Sequence, residues 1–147
     1  MSMPLHLYDV LRAVPTACGR RNGIDWPCGV LVVPRAPGAT LRDAFVITTR
    51  EAHAFADGAL VSHSASALPP RASALRSAMN RAAGGMLRYR NVHAFGIAHQ
   101  TRRADQSDDA LVGMIGAVAF PASPALLDAI GNDALVPTHR YIFFRMP

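Results

Sequence analysis

Residues Ile24 to Pro34 read IDWPCGVLVVP, and the four-residue apolar run Val30 to Val33 inside this stretch decides the fold class. It is bounded by Gly29 and Pro34, is rich in β-branched residues, and is too short to bury one face of a helix. A buried strand accounts for it better. Cys28 stands at the mouth of that strand, two residues after the chain's single tryptophan, Trp26. It is either a nucleophile or a small apolar residue leading into the sheet.

Downstream, Ala44 to Thr49 reads as a second strand. The segment AFADGALVSHS reads as its hairpin-like continuation, with Asp57-Gly58 as the turn. Upstream, Leu7, Val10, Leu11 and Val14 have helical spacing between Pro4 and Pro15, and TACGRRNGIDWP reads as a loop. After Pro69-Pro70 the period changes. Ala72, Leu75, Met79, Ala82 and Met86 recur at steps of three and four, which predicts a helix with Leu75 and Met79 facing the sheet.

NVHAFGIAHQ alternates as a strand, TRRADQSDD reads as a polar loop, and Leu111 to Phe120 reads as a long apolar strand. In ASPALLDAIGN, Ser123 suits a helix cap, Pro124 the first turn and Gly131 the position past the end. A last strand falls near Tyr141 to Met146. The sum is a single α+β domain over residues 1–147. Its antiparallel or mixed sheet has about five to six strands in one layer, covered on one face by two to three short helices. The length of 147 residues suits one core.

Half of the residues are apolar and 17% are charged, a balance that excludes disordered and fibrous chains. All fifteen cationic side chains are arginine. With abundant Ala, Gly and Pro, this points to a GC-rich genome, and it supplies guanidinium groups suited to phosphate and carboxylate. The net charge of +5 favours anionic partners but is dispersed. No stacked-aromatic pattern supports a nucleic-acid partner. No stretch of roughly 20 apolar residues indicates a membrane span, and no basic segment leads an apolar core at the N-terminus, so a cytoplasmic location is expected. Cys18 and Cys28 are accordingly read as thiols rather than as a disulfide.

Three chemistries can be weighed. Cys28 with His93 as base, and His99 or Gln100 as third group, would make a cysteine hydrolase or transferase. A cysteine early in a small domain, followed by a histidine that starts a strand in NVHAFGIAHQ, resembles the NlpC/P60 type of papain-like hydrolase. That family places its cysteine at the start of a helix within Asp-Cys-Ser-Gly, whereas here it stands in WPCGVLVV. Metal binding has little to carry it: His93 and His99 are six residues apart on one strand, roughly 20 Å, and no ligand motif is present. No cofactor is indicated, because AAGGM ends a helix where a phosphate cradle would open one. Arg76, Arg88 and Arg90 are the arginines that the predicted helix and its end bring into candidate anion-binding positions. The leading expectation is a soluble, non-catalytic module that binds a protein partner or copies of itself, with arginine recognising an anion. Leu111 to Phe120 and Tyr141 to Phe144 would supply uncovered edges for assembly.

Overall fold

The computed structural model describes residues 19–21, 23–40, 43–48, 60–62, 71, 74, 75, 77–79, 93–97, 103–145 and 147; for 19–21, 48, 60–62 and 93–97 it describes the backbone. Strands β1 (Gly19–Arg21) and β2 (Ile24–Trp26) form a two-stranded hairpin. Six further strands, β3 (Gly29–Pro34), β4 (Phe45–Thr48), β5 (Leu60–Ser62), β6 (His93–Ile97), β7 (Val118–Ala119) and β8 (His139–Arg145), make one sheet in the order β5-β6-β4-β3-β8-β7. Every pairing is antiparallel. With helices α1 (Asp108–Gly113) and α2 (Pro124–Ile130) and the 3-10 turn Asn132–Ala134, the fold is α+β.

β3 is central and explains the arrangement. Its alternate residues enter two different cores. Leu31 and Val33 pack with Cys28, Val46, Ile142, Phe144 and the α1 residues Leu111 and Val112. Val30 and Val32 pack on the other face with Ile47, Phe143, Leu75, Met79 and the α2 residues Leu126 and Ile130. Helices therefore cover both faces rather than one. A strand buried on both sides has no polar face to alternate with, which is why the run is apolar throughout.

Other local readings change as well. Within residues 16–27, read as a loop, Gly19–Arg21 and Ile24–Trp26 instead pair as the β1–β2 hairpin, and Gly23 has φ 80°, a backbone that glycine adopts without strain. β5 does not continue from β4, because β6 lies between them.

The long strand expected over Leu111 to Phe120 is instead α1, a turn with Gly116 at φ 79°, and the two-residue β7. Ser107 initiates the helix, its Oγ accepting from the Ala110 N–H at 3.3 Å, and Asp108 and Asp109 place negative charge at the positive helix end. These local signals outweigh the apolar run that follows them.

α2 forms as its sequence dictates. Ser123 Oγ accepts from the Leu126 N–H at 3.1 Å, proline occupies the first turn, and Gly131 leaves the helix at φ 89°. Residues 74, 75 and 77–79 are helical, with Leu75 and Met79 buried against the sheet. The helix expected between Pro4 and Pro15 and the Asp57-Gly58 turn lie outside the described residues.

Candidate functional site

The sheet fixes where the cysteine and histidine readings fall. Cys28 precedes β3, donates its backbone N–H to Phe144 O at 2.9 Å, and is 3% exposed within the apolar cluster of Leu31, Val46 and Phe144. It leads into a strand, not a helix, so the structure departs from the papain-like arrangement at the residue that carries it. Gly29, Thr48 and His93 share one row across β3, β4 and β6. Cys28 and His93 thus belong to the same end of the sheet, with β4 between their strands and backbones roughly 10 Å apart, two strand spacings. His99, Arg76, Arg88 and Arg90 lie outside the described residues. Among the described residues, no group of three His, Cys, Asp or Glu side chains could hold a metal ion.

A different set of arginines converges at the opposite end of β3. There β3 ends at Pro34, in register with His139, and the Arg35 N–H donates to Thr138 O at 3.0 Å. The chain then turns through Ala36-Pro37-Gly38-Ala39. Gly38 has φ 77° and the Ala39 N–H donates to Ala36 O at 3.1 Å, which is a type II turn with proline and glycine in the positions that turn requires. A bridge from Thr40 to Arg103 and a bond from the Ala104 N–H to Ala39 O draw in a second wall, residues 103–105. Between the two walls is a cleft of about 200 Å3, lined by Arg35, Arg103, Asp105 and Arg140 together with the apolar turn.

The three guanidinium groups differ in their engagement. Arg140 is the most buried: its Nε lies 2.9 Å from Asp108 Oδ1, a close ion pair rather than a well-directed hydrogen bond. Its Nη2 donates to the carbonyls of Ala104 at 3.1 Å and Gln106 at 3.4 Å. Arg140 therefore ties β8 to the 103–108 wall and is a positioning residue. Arg103 Nη2 meets Asp105 Oδ2 at 2.9 Å in the open, with side chains 72% and 65% exposed. Arg35 is exposed and, among the described residues, no carboxylate pairs with it. Three arginines against Asp105 and Asp108 leave one net positive charge at the cleft.

A volume of this size is below the ~300–1,000 Å3 of sites that enclose a drug-sized ligand, so the cleft suits a small group or the tip of a larger partner. Guanidinium forks match the oxygen spacing of carboxylate and phosphate. Reading the sequence alone misses this trio because Arg35, Arg103 and Arg140 are far apart in the chain and converge only through the β3–β8 pairing and the Thr40–Arg103 bridge. The RAPGAT turn is the one local clue. Compared with known protein families, curated proteins and solved structures, the chain matches none.

Proposed function

We propose that this protein is a non-catalytic binding module that holds an anionic group of a partner, a carboxylate or a phosphate, in the cleft between residues 34–39 and 103–105. The observation that carries the reading is the convergence of Arg35, Arg103 and Arg140 on one small cleft with a net positive charge. Arg35 and Arg103 are the binding residues, and Arg140 holds the wall that presents Arg103. A protein partner fits the small volume, which admits a side chain or chain end but not a whole ligand of ordinary size. No helix of the described residues is long and apolar enough to cross a membrane.

For self-assembly, Leu111 to Phe120 supplies only the two-residue edge strand β7, after the end of α1 and a turn, and Tyr141 to Phe144 is paired within the sheet. What supports a protein contact there is Val118, 40% exposed on this outermost strand. Cys28 enters this reading as a packing residue.

The test compares thermal unfolding of the wild type and Arg35→Gln in sulfate and in chloride at equal ionic strength. Sulfate strengthens burial in both proteins to the same degree. Binding at the cleft adds a concentration-dependent increment to the wild type alone. Equal sulfate responses would overturn the reading.

A further inference from the structure

We infer that Asp105 is a built-in competitor for the cleft: its carboxylate occupies on Arg103 the place that a ligand's anionic group takes, and binding requires Asp105 to be displaced. The inference rests on the cleft being an anion site, as proposed above. It begins from the one contact made inside the cleft by one of its own carboxylates, Asp105 Oδ2 at 2.9 Å from Arg103 Nη2.

Both partners line the cleft, and both side chains are well over half exposed. An ion pair so placed is weak, because water and salt screen it and two side chains lose rotamer freedom to hold it. It is therefore easily exchanged. The other ion pair of the region behaves differently: Arg140 meets Asp108 while also donating to two backbone carbonyls, so exchange there would dismantle the wall. Of the two carboxylates, Asp105 is the one whose release leaves the cleft standing. A bidentate oxyanion bridging Arg35 and Arg103 replaces the single Nη2–Oδ2 contact with a fuller set of charge-assisted bonds.

Competition has a signature that a mere change of field lacks. If Asp105 must leave Arg103 before any anion binds, removing its charge raises the affinity of every anion by one common factor, about two- to fivefold for an exposed pair. If Asp105 only lowers the local potential, the gain scales with ligand charge, and the factor for a dianion is the square of that for a monoanion.

The experiment titrates acetate and, separately, sulfate into the wild type and Asp105→Asn at constant ionic strength, following the arginine side-chain 15Nε resonances of Arg35 and Arg103. Asparagine keeps the shape and removes the charge, and unfolding temperatures of the two proteins confirm that the fold is unchanged. The expected result is a gain of about two- to fivefold for both anions by the same factor. A gain for sulfate that is the square of the gain for acetate, or no gain, overturns the competitor role while leaving the anion site standing. Absence of saturable binding in both proteins overturns the site itself.

Discussion

Gly29→Ala places one methyl group at a crowded point of the sheet, and its effect can be worked out from two distances. A Cβ at residue 29 would stand 2.6 Å from Phe144 Cζ and 2.8 Å from Ile47 O. Carbon atoms pack best at about 3.5–4.0 Å, so the ring would have to retreat by about 0.9 Å or more. Phe144 is fully buried and cannot swing into solvent, and the Ile47 carbonyl belongs to β4, paired to β3. Gly29 is not at positive φ, so the cost is steric overlap rather than backbone strain. Overpacking of this kind costs typically about 1–3 kcal/mol. Loss of unfolded-chain freedom on replacing glycine returns about 0.4–1 kcal/mol. A net destabilisation centred on about 1.3 kcal/mol, and at most about 2.6 kcal/mol, follows, read by urea denaturation as a lower midpoint at unchanged slope. Phe144→Leu in the same protein should recover part of the loss, giving a favourable coupling energy in the double-mutant cycle. A Gly29→Ala protein as stable as the wild type, or more stable by the unfolded-state term alone, would refute the packing of β3 between β4 and β8.

Leu75→Ala, which empties a fully buried position against Val30, Val32 and Ile47, should cost about 2–5 kcal/mol in the same denaturation assay; a loss below about 0.5 kcal/mol would put that helix on the surface. Iodoacetamide should label the peptide containing Cys28 only after denaturation, because the side chain is 3% exposed; selective labelling of the native protein would favour the cysteine-nucleophile alternative. Burial lowers the His139 pKa from its ordinary 6.5, so the unfolded chain binds more protons in the window just below that value. Stability contributed there is fully present above pH 6.5 and falls as the solution is acidified through the lowered value. His139→Gln should therefore show a smaller loss between pH 7.5 and 5.5 than the wild type, and an equal loss would contradict the assignment.

Readings anchored in a local physical signal agree with the structure. Ser123-Pro124 and Gly131 bracket α2, the period through Leu75 and Met79 buries the right residues, and the Val30–Val33 run is a strand. That run also carried a consequence that a one-face model neglects: both its neighbouring faces must be covered. The segment from Leu111 misleads because its apolar content suits a strand, whereas the Ser107 cap and the Asp108-Asp109 first turn just before it start a helix. The β4-β6-β5 order has no local signature, since β6 arrives from far along the chain to separate two strands that are sequential neighbours. The arginine cleft was hidden for the same reason. Spacing within a helix or strand can bring side chains together at short range, whereas Arg35, Arg103 and Arg140 meet only after β3, β8 and the Thr40–Arg103 bridge have formed.

The central claim is that Arg35 and Arg103 receive an anion, and residue-resolved NMR of the arginine 15Nε–1Hε groups during a sulfate titration tests it most directly. The account predicts saturable shifts of the Arg35 and Arg103 resonances with one shared dissociation constant. The Arg145 resonance, at the far end of β8, should drift only with ionic strength. In Arg35→Gln the Arg103 shift should require several-fold more sulfate. Linear, unsaturated changes of equal size at Arg35, Arg103 and Arg145 would contradict it.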